Sequence, residues 1–342
     1  MAAPSTRPTS VTIPAAFKAL RIFDDEEGYR AEIVDQSIEE QSDGEVVIQV
    51  AYSSVNYKDA LAGTGRGKIL RRFPLNGGID AAGEVVHSDD DRFAVGDAVL
   101  VTGSGLSETH DGGYSQYLRV RADHIVPLPS GLTPKQAMVL GTAGFTAALA
   151  RYRMEANGQS PELGPIVITG ATGGVGSLAV NLMAAGGYQV SAISGKLDAF
   201  AWLHELGASQ CISRHELYWP ETPLAKSQFA GAIDNVGGDM LAGLTRVIHP
   251  WGNIAACGMA GGIGVQTTVM PFIIRGISLL GINSAACPYA LRCELWHRLA
   301  NEWRPPALDD IAGETVTLDQ LDQEFRRLLD GGGHGRTLVK LH

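Results

Sequence analysis

From Phe17 to about Pro129 the apolar positions come in short runs broken by turn residues. Glu45–Tyr52 (EVVIQVAY), Ala81–Val86 and Ala98–Thr102 have the character of strands, punctuated by Asp43-Gly44, Asp89–Asp91 and Gly96-Asp97. The pattern predicts a compact β-rich module with few helices, in which the triple aspartate is a solvated turn. The period then changes. Thr133-Pro134-Lys135-Gln136 places a threonine cap, a proline at the first helical position and a glutamine at the third, and predicts an apolar helix to about Arg153. A strand at Ile166–Thr169, a glycine-rich turn, a helix over Val175–Ala185 and a strand at Gln189–Ile193 follow. The alternation continues through Ala232–Asp234, Asn253–Cys257 and Ser278–Ile282, which predicts an α/β unit with a parallel, doubly wound sheet covered on both faces. Leu321, Phe325, Leu328 and Leu329 form a helical stripe that stops at Gly331–Gly333, and Thr337–Leu341 predicts a closing strand.

Two domains are expected, because 342 residues exceed what one small core organises. A formal charge of −10 argues against a nucleic-acid binder, which needs a cationic footprint, so any anionic ligand must meet a local basic cluster. The first ten residues lack the apolar core of a secretory signal, and no apolar run approaches the ~20 residues that cross a bilayer. Cys211, Cys257, Cys287 and Cys293 have neither metal-type spacing nor disulfide density, which suits a cytoplasmic protein.

The strongest chemical signal is Ile166-Val167-Ile168-Thr169-Gly170-Ala171-Thr172-Gly173-Gly174-Val175-Gly176. It reads strand, glycine turn, helix start, the order a Rossmann nucleotide site requires, with Ala171 where the first glycine of G-x-G-x-x-G would stand. Gly173 lets the backbone approach a pyrophosphate, and Gly176 lets the helix pack close to the strand. Unpaired N–H groups and the helix dipole favour an anion there. An NAD site places Asp or Glu at the end of the second strand, to hold ribose hydroxyls. Here that end reads Ser191-Ala192-Ile193-Ser194-Gly195-Lys196, with no carboxylate before Asp198. Ser194, Lys196 and, one strand on, Arg214 suit a 2′-phosphate, so NADPH is the expected cofactor.

These features resemble medium-chain reductases of the quinone-reductase type. Phe93–Val99, Gly112-Gly113-Tyr114, Leu140–Ala147 and Asp234-Asn235-Val236-Gly237-Gly238 fit that group. Asn56-Tyr57-Lys58-Asp59-Ala60, Gly78-Ile79-Asp80, Ser194-Gly195-Lys196, Thr267–Ile273 and Gly335–Lys340 resemble its acryloyl-CoA reductase subfamily. The resemblance implies a GroES-like catalytic domain over 17–140 and 287–342, a Rossmann domain over 141–286, an extension over 1–16, and a homodimer. It also implies NADPH-dependent reduction of acryloyl-CoA to propionyl-CoA. Two departures stand out: Gly77 replaces a usual proline, which is expected to loosen its loop, and Lys196 replaces a common arginine, losing bidentate phosphate geometry.

By the same placement, Tyr57, Thr172, Gly173, Gly174, Val175, Gly176, Ser194, Gly195, Lys196, Arg214, Met259, Ile273 and Ser284 are the expected cofactor residues, Met259 and Ile273 having plain core packing as the alternative. Tyr57 is the leading catalytic candidate, as an orienter of cofactor, a binder of the substrate carbonyl or a proton donor. Asn56 is a further donor, and Lys58 with Asp59 reads as a local ion pair. Lys68, Arg71, Arg72 and Arg336 are candidate cations for the phosphates of a coenzyme A thioester. Zinc-dependent relatives carry Gly-His-Glu where this chain has Gly78-Ile79-Asp80, and His87, His110 and His124 lack ligand spacing, so no metal is expected. Two other readings stay open: a general quinone or enone reductase, and a catalytically silent NADPH-binding protein.

Overall fold

The computed structural model describes residues 11–342. Of the expected extension, residues 1–10 lie outside the described residues, and Val11 donates its N–H to Val86 O at 3.2 Å. The chain divides into two units. The first takes the described chain up to Thr142 with Ala285–Trp296 and Ala312–His342, and the second takes Ala143–Ser284 with His297–Ile311.

The strands in chain order are β1 (Phe17–Asp25), β2 (Gly28–Gln36), β3 (Val46–Val55), β4 (Leu75–Asn76), β5 (Asp80–Ser88), β6 (Ala98–Thr102), β7 (Tyr117–Val120) and β8 (Val126–Pro127). Then come β9 (Ile166–Thr169), β10 (Val190–Ser194), β11 (Ala208–Ser213), β12 (Phe229–Asp234), β13 (Ile248–Ala256), β14 (Ser278–Gly281), β15 (Ala312–Val316) and β16 (Arg336–Lys340). The α-helices are α1 (Tyr57–Thr64), α2 (Pro134–Ala156), α3 (Gly174–Ala185), α4 (Phe200–Glu205), α5 (Gly238–Val247), α6 (Met270–Ile274), α7 (Tyr289–Ala300), α8 (Leu308–Ile311) and α9 (Leu321–Leu329).

In the first unit, one sheet runs β15-β16-β3-β5-β6-β8 with β7 also on β3, and a smaller one runs β2-β1-β4. Val46, Ile48 and Val50 of β3, Ala81 and Val85 of β5, and Leu118 of β7 form its core with Tyr114 and Phe325. The C-terminal strand β16 pairs antiparallel with β3, Leu338 opposite Ser54. Helix α9 lies against α1, where a Cβ at Gly63 would overlap the Phe325 ring. That close approach sets the position of α1.

In the second unit a parallel sheet has the order β11-β10-β9-β12-β13-β14. Every residue of β9, β10 and β12 is buried, as expected of strands covered on both faces. The chain leaves β9 first toward β10 on one side and later toward β12 on the other, which makes the C-terminal end of β9 a topological switch point, where such sheets bind ligands.

Two expectations are corrected. The predicted helix after Thr133 is broken at Gly141 (φ 49°, ψ −155°), one residue before the first unit ends. The C-terminal return does not belong wholly to the first unit, since 297–311 joins the second. There the Trp303 ring lies 4.4 Å from the Arg151 guanidinium and 4.8 Å from that of Arg298, and Ala307 N–H donates to Asn181 Oδ1 at 3.1 Å. The contacts to Arg151 and Asn181 join residues distant in sequence and leave no local signal.

Candidate active site

The nucleotide turn follows from the glycines. The chain leaves β9 through Gly170 at φ 58°, a conformation that favours glycine, and α3 begins behind Gly173. Gly176 has no room for a side chain: a Cβ would run into Gly170 O and stand 2.7 Å from Ala171 Cα. A Cβ at exposed Gly173 would meet only Gly170 O, at 3.3 Å, so its outer face is open to a ligand. The turn is pinned by Asp234, a fully buried carboxylate at the end of β12. Thr169 Oγ1 donates to it at 2.6 Å and Gly237 N–H at 2.8 Å, while Asn235 Nδ2 donates to Thr169 O at 2.8 Å. Burial pushes the Asp234 carboxyl above its ordinary range. In the sequence Asp234 ends an expected strand and opens a family segment, and a carboxylate closing an otherwise apolar strand is the signal of its structural role.

At the end of β10 the expected 2′-phosphate residues come together. Ser194 Oγ lies 3.2 Å from Thr172 Oγ1 and accepts the Lys196 N–H at 3.1 Å, and Arg214 N–H donates to Ser194 O at 2.9 Å. The Arg214 side chain lies over Gly195, where a Cβ would come within 2.9 Å of the guanidinium carbon. A hydroxyl and the Arg214 guanidinium thus meet at a strand end without a carboxylate, with Lys196 two residues past Ser194, a setting that suits a phosphate. These residues fit NADPH.

Met259 and Ile273 are not core residues, being 67% and 75% exposed. Ser284 accepts a hydrogen bond from Thr146 Oγ1 at 2.8 Å.

In the first unit, four of the resemblance segments meet around buried Asp80. Its carboxylate accepts hydrogen bonds from Ser54 Oγ at 2.6 Å, Asn56 Nδ2 at 2.8 Å, Thr142 Oγ1 at 2.6 Å and Thr142 N–H at 3.0 Å. Asn56 caps α1, with its N–H donating to Asp59 Oδ2 at 2.9 Å and its side-chain amide reaching the same oxygen at 3.1 Å. Asp59 also takes the Ile79 N–H at 2.9 Å. Burial, with the neighbouring charge of Asp80, raises its carboxyl to about 7. Tyr57 opens α1 and is 43% exposed.

Several expected roles change. The Asn56 amide is engaged with Asp59, Asp80 and Arg336, so its donors are already used within the fold. Lys58 pairs with Glu108 rather than Asp59. Arg336 is 3% exposed and no surface cation, whereas Lys68 and Arg71 are exposed and Arg72 is tied to Thr109 O at 2.8 Å and Ser42 Oγ at 2.6 Å. Nor is the Gly77 loop loose, for Gly77 N–H donates to Leu20 O at 3.0 Å, a bond that proline cannot make.

Among the described residues no group of three or more His, Cys, Asp or Glu is arranged to hold a metal ion. The Asp59 and Asp80 oxygens are taken by internal donors, His110 and His124 meet edge to face at 5.6 Å, and the four cysteines are free thiols.

Two family models match: the alcohol dehydrogenase GroES-like domain over residues 42–130 and the zinc-binding dehydrogenase over 174–301. Acrylyl-CoA reductase AcuI of Ruegeria pomeroyi is 42% identical over 329 residues, covering 95% of this chain and 99% of that protein. The crystal structure of Escherichia coli K-12 YhdH with bound NADPH superposes with a TM-score of 0.91 at 42% identity, covering 95% and 100% of the two chains. That of Bacillus subtilis yhfP with NAD bound gives 0.92 at 44% identity, covering 96% and 100%. Matches of this extent, on a chain with this nucleotide turn and this Asp80 network, place it in the medium-chain dehydrogenase/reductase superfamily, within the acryloyl-CoA reductase group.

Proposed function

We propose that the protein is a zinc-independent, NADPH-dependent reductase of the activated C=C bond of acryloyl-CoA, yielding propionyl-CoA. The observation that carries this reading is the carboxylate-free end of β10, where Thr172, Ser194 and Arg214 meet beside Gly195, next to Lys196. The similarity to an acrylyl-CoA reductase over nearly the full length supports the substrate. NADPH supplies a hydride for the β-carbon. The chain supplies the rest. The open face of Gly173 and the α3 N-terminus take the pyrophosphate, Lys196 and Arg214 take the 2′-phosphate, and exposed Met259 and Ile273 offer apolar contact to the nicotinamide. The Tyr57 phenol donates a hydrogen bond to the thioester oxygen as negative charge develops there, and a proton from an acid or water completes the α-carbon. Asn56 serves this chemistry by holding the start of α1. Lys68 and Arg71 remain cations able to meet the coenzyme A phosphates.

Further support comes from particular features. Leu279, 43% exposed on the edge strand β14, favours a homodimer that covers that edge. Among the described residues no helix is long and apolar enough to cross a membrane, and free thiols suit a cytoplasmic location. A second reading, a general quinone or enone reductase, is favoured by the Bacillus subtilis relative YhfP, 45% identical over 326 residues and assigned by its name, provisionally, to the quinone oxidoreductases.

The test follows absorbance at 340 nm with NADPH, offering acryloyl-CoA beside a small quinone. Oxidation with the thioester alone is expected, and Tyr57→Phe should lower kcat by about 10²-fold, in the range of a lost oxyanion or proton donor. Turnover of the quinone alone moves the protein to the second reading; inertness toward both leaves an NADPH-binding protein.

A further inference from the structure

Arg336 opens the last strand of the chain and is buried to 3% exposure, beside Asp80 at 0% and Asp59 at 2%. Burying a guanidinium among two carboxylates costs solvation, and apolar residues of similar volume commonly serve stability as well or better. Geometry gives this cluster another use. Arg336 Nε donates to Val139 O at 3.0 Å, and Nη1 to Val55 O at 3.1 Å and Asn56 Oδ1 at 3.2 Å. Its Nη2 donates to Ser54 Oγ at 2.7 Å and lies 3.9 Å from Asp80 Oδ2. A guanidinium has five N–H groups in a rigid fork; four of them donate to these partners, and the second Nη2 N–H lies on the side of the Asp80 carboxylate in an ion pair. Four of the five contacts fall on Ser54, Val55, Asn56 and the carboxylate that Asn56 itself reaches. The fork grips the chain entering α1.

Asn56 is the hub. Its carbonyl oxygen accepts from Arg336, its amide donates to Asp59 and Asp80, and its backbone N–H donates to Asp59. The next residue is Tyr57. The packing around the fork is tight enough to fix one arrangement, since a Cβ at Gly141 would stand 2.6 Å from Asp80 Oδ2, 2.8 Å from Ser54 Oγ and 3.0 Å from Arg336 Nη2. We propose that Arg336 is a positioning residue, which through Asn56 and Asp80 holds the first turn of α1 and so aims the Tyr57 phenol at its substrate. This rests on the proposed role of Tyr57. A sub-ångström change in such aim is amplified in rate, because a reacting group must be held in near-attack geometry.

The experiment is a double-mutant cycle on the full-length protein, measuring kcat and KM for acryloyl-CoA with NADPH. Arg336→Lys keeps the charge and loses the fork; it should lower kcat about tenfold with KM changed less than twofold. In the Tyr57→Phe background the same substitution should cost less than twofold, because the group being aimed is already gone. Thermal melts accompany each variant. Equal losses in both backgrounds, with Tyr57→Phe itself impaired, overturn the proposal and leave the Tyr57 reading standing. Full activity of Tyr57→Phe alone sinks that reading instead, whatever Arg336→Lys does. If Arg336→Lys fails to fold, near-isosteric Asp80→Asn takes its place in the same cycle. Loss of folding in both assigns the network to stability and overturns the proposal.

Discussion

Arg214→Ala isolates the part of the cofactor site that separates NADPH from NADH. Arg214 follows β11 with its backbone N–H fixed on Ser194 O at 2.9 Å, and its side chain lies over Gly195. Hydrogen bonds to charged groups contribute ~1.5–3 kcal/mol. Arg214 is exposed, so solvent and salt screen its attraction and the low end applies. At ~1.4 kcal/mol per factor of ten, Arg214→Ala should weaken NADPH about tenfold and leave NADH unchanged. Gly195→Ala provides an independent arm. The added methyl meets the flexible arginine side chain rather than backbone, so it should displace Arg214 at little cost to folding and reproduce the selectivity loss. Fluorescence titration of both cofactors, at low and high salt, reads the result. Raising salt should narrow the wild-type preference more than that of either variant, in which Lys196 is the remaining cation. Equal weakening of NADPH and NADH, or no change in either, would refute the 2′-phosphate reading. The Bacillus subtilis relative with NAD bound makes the NADH arm essential.

Three further outcomes are expected. In Gly176→Ala the methyl meets the backbone of Gly170 and Ala171, so α3 must move off β9; titration should show both cofactors losing affinity together, with a lower melting temperature. The Asp59 carboxyl is raised to about 7, so the folded state binds a proton that the unfolded chain, with an ordinary carboxylate, releases near 4. Its stabilising contribution is therefore complete below about pH 4 and is lost as pH rises through 7, by at most ~1.4 kcal/mol per pH unit. Denaturant unfolding between pH 5 and 8 should show that slope and Asp59→Asn should abolish it; an unchanged slope refutes the assignment. Prolonged dialysis against a strong chelator should leave the 340 nm rate intact, and restoration of a lost rate by zinc would overturn the metal-free chemistry.

Much of the second unit was legible in the chain, because its determinants are local. Ile166–Thr169 is an unbroken apolar run that a parallel sheet buries on both faces, and the glycines that follow answer steric demands arising within a few residues of themselves. Ser194, Lys196 and Arg214 could be placed because the ends of successive parallel strands lie side by side. Periodicity likewise marked α9 and the closing strand β16. What only the tertiary structure decided is the fate of charge. Arg336 looks like any surface cation in the sequence, and Asn56 like a free amide. Their burial comes from β16 pairing with β3 and from Gly141 leaving room beside Asp80, contacts spanning up to 282 residues. The same holds for Lys58, whose partner is Glu108, and for Trp303, which carries 297–311 into the second unit. Local pattern reports which face a residue prefers. Whether a polar side chain meets water or a partner depends on elements brought together from far along the chain, and the energy of a buried charge is set by those partners.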